Sequence, residues 1–321
     1  MNATSLLTDA PNFEAILAAH KRISPHIHRT PVLTSTSLDE IAGARLFFKC
    51  ENLQKTGSFK IRGATNAIFS LTDQEARQGV VAPSSGNHAA AMALAARWRG
   101  IPAFIVMPSN SSAAKVKAVE FYGGKITYCE PHMASREATC AEVMRNTGAH
   151  LVHPYDDARV IAGQGTAALE LLEEVSDLDV LVTPASGGGL LSGSAIAAKN
   201  MRPGIRAIGG EPSNADDAYR SLKAGKIEPA AKSETMADGL RATLSPLTFS
   251  ILKSLVDEIS LVSEEEIVAA MLLLWERTKL VVEPSGAVAA APALNRKIRA
   301  EGKKIGIILS GGNLDLHKLP F

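Results

Sequence analysis

The chain has 321 residues and a formal net charge of +1, enough length for two cores rather than one. Apolar residues make up 46% and charged residues 21%, a globular composition that argues against disorder and, with the near-zero charge, against a nucleic-acid or membrane-surface partner. Three cysteines, Cys50, Cys129 and Cys140, show no CxxC pairing, which points to a reducing compartment and away from a disulfide framework or thiolate zinc site. Residues 1–22 carry acidic groups early and no basic stretch ahead of a long apolar one. No apolar run approaches the roughly 18 residues of a membrane span, so a cytoplasmic protein without a signal peptide is expected.

In chain order, Asn12 to Ile23 reads as a helix and Arg45 to Cys50 as a strand. The stretch ENLQKTGSFKIRGA, residues 51–64, then sets Lys60 between Phe59 and Ile61, just behind the turn residues Thr56-Gly57-Ser58 and where a helix should begin. Residues 79–85 form a strand running into an alanine-rich helix that ends near Gly100. Residues 102–108 are a strand, followed by a helix capped by Ser111-Ser112 and reaching about Tyr122. A strand at 125–131 precedes a helix from Ala134 to Thr147, so the block from 77 to 150 holds three strand–helix units. Beyond it come a helix from Ala158 to Val175, a strand at 178–185, a glycine run and another helix. A strand at 205–211 and a helix from Ala215 to Ala224 lead into a less regular stretch, 226–243. Helices near 245–255 and 263–280 flank the strand DEISLV, and KKIGIILSGGN closes the chain. Apolar strands alternating with helices specify an α/β architecture with mainly parallel sheets.

Three strands end in polar or glycine-rich loops. SGGGLLSG, residues 186–193, opens a helix; its glycines let several N–H groups converge, and the helix terminus adds positive potential. It is either a phosphate cradle or a tight strand–helix turn, and it matches neither the Walker A nor the dinucleotide pattern. SSGNH, residues 84–88, offers Ser84, Ser85, Asn87, His88 and helix-start N–H groups, an inventory suited to a carboxylate or to a plain N-cap. LSGGN, residues 309–313, is the third. Together they suggest one crevice at the carboxyl ends of two sheets. In that setting Lys60 has two readings, a snorkelling surface lysine or an amine that bonds an aldehyde. An aldehyde that also carries a phosphate is pyridoxal phosphate.

The chain resembles the fold-type II pyridoxal-phosphate enzymes (tryptophan synthase β-like), within them the serine racemase and serine/threonine dehydratase group. The likeness runs through HRTPVLTSTSLDEIAG, ENLQKTGSFKIRGA, SSGNHAAAMALAA, SRE, GQGTAALELLEE, SGGGLLSG, EPSNADDAYRS, TMADGLR, VVEPSGAVAAA and LSGGNLDL. It implies two open twisted, mainly parallel sheets flanked by helices, with residues 1–76 plus 151–321 as a large cofactor-binding domain and 77–150 as a small substrate-side domain. It implies Lys60 as the Schiff-base lysine, Phe59 near the ring, Asn87 on the ring's 3-oxygen and Ser310 facing the pyridine nitrogen. The N–H groups of Ser186, Gly187, Gly188, Gly189 and Leu190 would hold the phosphate, although many members have a fourth glycine where this chain has Ser186. A hydroxyl opposite the ring nitrogen is a weaker proton source than a carboxylate, which suits α-proton removal coupled to loss of a β-substituent.

For the substrate, the resemblance implies Ser84, Ser85, Asn87 and His88 around the carboxylate and Arg136 on the open side, where it would accept a β-carboxylate; a surface helix arginine is the plainer alternative. Ser85 as a second base opposite Lys60 would give L-serine to D-serine racemisation beside elimination to pyruvate or 2-oxobutyrate plus ammonia. The alternatives are a dedicated serine/threonine dehydratase, a 3-hydroxyaspartate dehydratase, a β-replacement enzyme or, outside catalysis, a small-ligand binding module. Glu211, Asp217 and the carbonyl of Ala215 would bind Mg²⁺, or Ca²⁺ or Mn²⁺ in its place, by oxygen ligation. As a local segment the same residues read as a capped, solvated helix start. The resemblance implies a homodimer acting on small hydroxy amino acids, with neither nucleic acid nor membrane as partner.

Overall fold

The computed structural model describes residues 9–229, 234–317 and 319. The first eight residues of the leader reading, and 230–233 of the irregular stretch, lie outside them. Among the described residues ten strands form two sheets. The larger has the order β1-β2-β10-β7-β8-β9, with β1 Val32–Leu33, β2 Arg45–Cys50, β7 Val180–Pro184, β8 Arg206–Pro212, β9 Glu258–Val262 and β10 Lys304–Leu309. Only β1 against β2 is antiparallel. The smaller has the order β5-β4-β3-β6 and is wholly parallel, built from β3 Val80–Pro83, β4 Ala103–Pro108, β5 Lys125–Cys129 and β6 His150–Leu151. This is the expected α/β architecture.

Central strands such as β7 are buried along their whole length, which is why they read as apolar runs and not as alternation. The last strand, β10, inserts between β2 and β7. That single insertion sets the LSGGN loop beside the loop that carries Lys60, although about 250 residues separate them. The alanine helix Asn87–Arg99 packs against the helix Lys60–Phe69; its small buried side chains allow close approach. The helix Ala158–Glu174 lies against the helices Phe13–Ile23, Lys60–Phe69 and Gly189–Met201.

Most regular elements fall within a residue or two of expectation; the helix Phe13–Ile23, for example, is capped by Asn12, whose side chain accepts from the Ala15 N–H at 2.9 Å. Ser112 sits at the cap position before Ala113–Phe121 without a side-chain cap bond, and Ser111 instead donates to the Pro108 carbonyl. The short helices Thr36–Ala42, Asp73–Arg77, Pro284–Ala287 and Ala291–Leu294, and the two-residue strands β1 and β6, were not expected. At that length packing, not local pattern, decides them. Among the described residues no helix is long and apolar enough to cross a membrane.

A buried ionic cluster ties these layers together. Arg62 pairs with Glu51 through Nε and Nη2 at 2.7 and 2.8 Å and with both oxygens of Glu170 at 2.8 Å. Lys49 reaches Glu170 at 2.7 Å and donates to the Thr30 carbonyl at 2.7 Å. Burial alone would raise the pKa of Glu170, but Arg62 and Lys49 hold it down to about 2. The cluster anchors the first turn of the Lys60–Phe69 helix to β2 and to the helix Ala158–Glu174.

Candidate active site

Lys60 leaves a segment whose path is fixed by its neighbours. Thr56 and Gly57 take left-handed conformations, φ +62° and +72°, and a side chain at Gly57 would run into Asn313, so glycine is required there. The Gly312 N–H donates to the Gly57 carbonyl at 2.9 Å, and the Phe59 N–H to the Ser310 carbonyl at 3.0 Å. Ser58 bridges Gly311 in antiparallel fashion. Lys60 therefore starts from beside Ser310. Its ammonium donates to the Pro154 carbonyl at 3.1 Å and lies 5.0 Å from the centre of the Phe59 ring. Among the described residues no carboxylate pairs with it, and burial lowers its pKa to about 8.

The 186–190 loop faces it from β7. Ser186 holds φ +50° and Gly188 +88°; for a serine that conformation costs of the order of 1–2 kcal/mol. A Cβ on Gly187 would sit 2.7 Å from the Tyr155 ring, so the loop backbone passes bare against Tyr155. The Gly188 N–H donates to the Ala185 carbonyl at 3.1 Å. Those of Ser186, Gly187, Gly189 and Leu190 are left. The helix Gly189–Met201 begins without a side-chain cap, so its terminus retains the potential that draws an anion.

At the third loop, the Ser84 hydroxyl accepts from the Gly86 N–H at 3.3 Å. The helix Asn87–Arg99 also starts without a side-chain cap. Asn87 is held on both sides, donating to Glu283 at 2.8 Å and accepting from Asn313 at 2.9 Å. His88 is buried, its Nε2–H donating to the Val152 carbonyl at 3.1 Å, while Nδ1 has no partner. Burial, with the Lys60 charge, pushes its pKa down to about 3. It is a neutral ring that offers an acceptor, not a cation for a carboxylate. The Ser310 hydroxyl, buried, donates to the Ser285 carbonyl at 3.4 Å. Arg136 stands on the helix Met133–Thr147, with its Nε buried and unpartnered.

Glu283 and Asn313 were not singled out from the sequence. Glu283 is buried and its pKa is pushed up to about 8, first by burial and then by the nearby Asp238 charge. The signal lay in VVEPSG and LSGGN, motifs whose serines and glycines drew attention away from the carboxylate and the amide. Glu211, Ala215 and Asp217 are buried together. Glu211 accepts from the N–H groups of Ala218 and Tyr219 at 3.0 and 2.8 Å, whereas Asp217 Oδ2 has no partner. Among the described residues no group of three or more His, Cys, Asp or Glu side chains is placed to hold a metal; this pair has two carboxylates only.

An unpaired amine, a bare loop of free N–H groups on a helix terminus and a hydroxyl beside the lysine fit a phosphate-bearing aldehyde. The model of the family described as "Pyridoxal-phosphate dependent enzyme" matches residues 23–311. A β-hydroxyaspartate dehydratase of Paracoccus denitrificans is 51% identical over 311 residues, 97% of this chain and 99% of that protein. A serine racemase of Arabidopsis thaliana is 52% identical over 315 residues, 97% of this chain and 95% of that protein. The structure of maize serine racemase superposes with a TM-score of 0.94 at 50% identity, covering 96% and 95% of the two chains. The chain belongs to the fold-type II pyridoxal-phosphate-dependent enzymes, in the group that includes serine racemases and related dehydratases.

Proposed function

We propose that the protein is an ammonia-lyase that removes the β-hydroxyl and amino groups of small hydroxy amino acids, giving a 2-oxo acid and ammonia. The observation that carries this reading is Lys60, an amine without a carboxylate partner whose proton affinity burial has lowered into the range of a working base. Bound pyridoxal phosphate supplies the aldehyde for Lys60 and the electron sink that makes an amino acid's α-proton acidic. Lys60 would bond that aldehyde and, once displaced, take the α-proton on Nζ. The N–H groups of Ser186, Gly187, Gly189 and Leu190 would hold the phosphate, Asn87 the ring oxygen and Ser310 the ring nitrogen. Ser84, Ser85 and the uncapped start of the Asn87–Arg99 helix would take the substrate carboxylate, with the smaller sheet and its helices, 77–150, as the substrate-side domain.

Two features widen the reading. Ser85 offers a hydroxyl that could serve the face opposite Lys60, which would add racemisation of serine. Arg136, with its unpartnered Nε, would accept a second carboxylate and favour 3-hydroxyaspartate, and the dehydratase of Paracoccus denitrificans carries that substrate in its name. The test is a panel of L-serine, L-threonine and 3-hydroxyaspartate with ammonia, 2-oxo acid and D-serine measured for the native protein, Ser85→Ala and Arg136→Ala. Elimination that survives Ser85→Ala while D-serine vanishes supports the scheme; no ammonia from any of the three refutes it.

The open Asp217 Oδ2, with Glu211 and the Ala215 carbonyl, would bind Mg²⁺ completed by water, as a structural rather than chemical component. Burial raises the pKa of Glu211 to about 8 and of Asp217 to about 6. Thermal melting after EDTA treatment, repeated with Mg²⁺, should show a gain of several degrees. An unchanged midpoint removes the site.

A further inference from the structure

The serine at the head of the 186–190 loop has a bond of its own. Ser186 sits at φ +50°, a conformation glycine would take without strain, and its hydroxyl donates to the Gly239 carbonyl at 3.1 Å. Gly239 lies in the one-turn 3-10 helix Asp238–Leu240. The Gly239 N–H donates to the Ser285 hydroxyl at 3.0 Å, and the Ser285 carbonyl accepts from Ser310 at 3.4 Å. On its other side Asp238 pairs with Lys115 at 2.6 Å. Lys115 belongs to the helix Ala113–Phe121, which follows a strand of the smaller sheet. One short turn thus touches the phosphate loop, the serine pair behind the ring position and the substrate-side layer.

We propose that the Ser186 hydroxyl is a positioning group that couples the phosphate loop, through the Asp238–Leu240 turn and its ion pair with Lys115, to the placement of the substrate-side layer. The proposal rests on the reading that residues 186–190 hold the cofactor phosphate. Ser186 touches no reacting atom through this hydroxyl; it acts by restraining the loop whose N–H groups do the holding. The Lys115–Asp238 pair is half exposed, at 41% and 50%, so its share of the coupling is modest and sensitive to salt.

The test is a double-mutant cycle on release of pyridoxal phosphate from the holoenzyme to an excess of acceptor apoprotein, followed by visible absorbance. Ser186→Ala should speed release about 3- to 10-fold, the scale of one neutral hydrogen bond. Lys115→Met should speed it about 2- to 5-fold, the scale of an exposed ion pair. In the Ser186→Ala and Ser186→Gly backgrounds the Lys115→Met effect should disappear, because the link it acts through is gone. Ser186→Gly removes the strain as well as the hydroxyl, whereas Ser186→Ala removes the hydroxyl alone, so loss of coupling in both assigns it to the hydroxyl. Equal Lys115→Met effects in all three backgrounds, or no effect of Ser186→Ala, overturn the inference. Protein carrying pyridoxal in place of the phosphate separates the two readings. If pyridoxal is released no faster than pyridoxal phosphate, the phosphate-loop reading fails and takes the inference with it. If it is released much faster yet the cycle shows no coupling, the inference alone fails.

Discussion

Two lysines lie within eleven residues of each other, Lys49 buried and Lys60 half-buried, and their surroundings are opposite. Lys49 on β2 is fully buried and fully matched: Glu170 pairs with it at 2.7 Å and the Thr30 carbonyl accepts a hydrogen bond from it. Lys60 is flanked by a phenyl ring and one carbonyl, with no carboxylate to stabilise its charge. A buried ammonium with a good counter-ion stays charged and inert; one without is driven toward the neutral amine, which is the nucleophile and base. On the proposed reading, what would make Lys60 reactive is the lack of an acidic partner among the described residues. The ionic cluster two residues beyond Lys60, at Arg62, keeps the helix in place while sending none of its carboxylates toward the amine.

The comparison breaks most visibly at Lys60 itself. Lys60→Ala should lower turnover about a thousandfold or more, the scale of losing a positioned base, with a melting temperature near that of the native protein. Next in size is Glu170→Ala, which strands Lys49 and Arg62 without one counter-ion and should cost about 3–5 kcal/mol in urea unfolding. The same carboxylate makes stability fall in acid. Its pKa is depressed to about 2, so its contribution is complete above its unfolded value near 4.5 and is lost as pH falls toward 2. Lys49→Met should cost about 1–3 kcal/mol and leave kcat within a factor of about two. A large fall in kcat at unchanged stability would show that the two lysines are not separable as described.

The same contrast shows in the pH dependence, where the signs oppose. Lys60 has a folded pKa of about 8 against 10.5 unfolded. Between those values the unfolded chain binds more protons, so cofactor-free protein should gain stability as pH rises, at up to about 1.4 kcal/mol per unit. Glu283 is raised from 4.5 to about 8; there the folded state binds more protons, and stability should fall as pH rises across that window. Glu283→Gln should flatten the fall and Lys60→Met the later rise. A profile unchanged by both substitutions would mean that neither group is perturbed as the geometry requires.

Much of the scaffold was legible from the chain because parallel strands buried on both faces are apolar runs and the helices between them are rich in alanine. A helix from about Asn12 to Ile23 and a strand over Arg45–Cys50 needed only local rules. The two-residue strand Val32–Leu33 and the short helix Thr36–Ala42 were invisible because their place is set by packing rather than by local pattern. At the site, the glycine loop and Lys60 could be marked from residue type alone. That Gly188 spends its N–H on Ala185 could not, since it depends on torsions that a glycine leaves open. Glu283 was missed for a similar reason: a carboxylate after two valines looks solvated until Asn87 and Gly311 close over it.

By itself, then, the order of residues determined the alternation of strands and helices, the three loops at strand ends and the motif set that marks the family, because each is a short-range property of the chain. Why Lys49 meets a carboxylate and Lys60 does not was decided only in three dimensions. The motif around Lys60 marks it in the chain, but no local rule states that Glu170, some 120 residues on from Lys49, will face one lysine and not the other. The insertion of β10 between β2 and β7 and the packing of the helix Ala158–Glu174 against the helix Lys60–Phe69 make that choice, because the reach of a charge is set by distance in space and by burial.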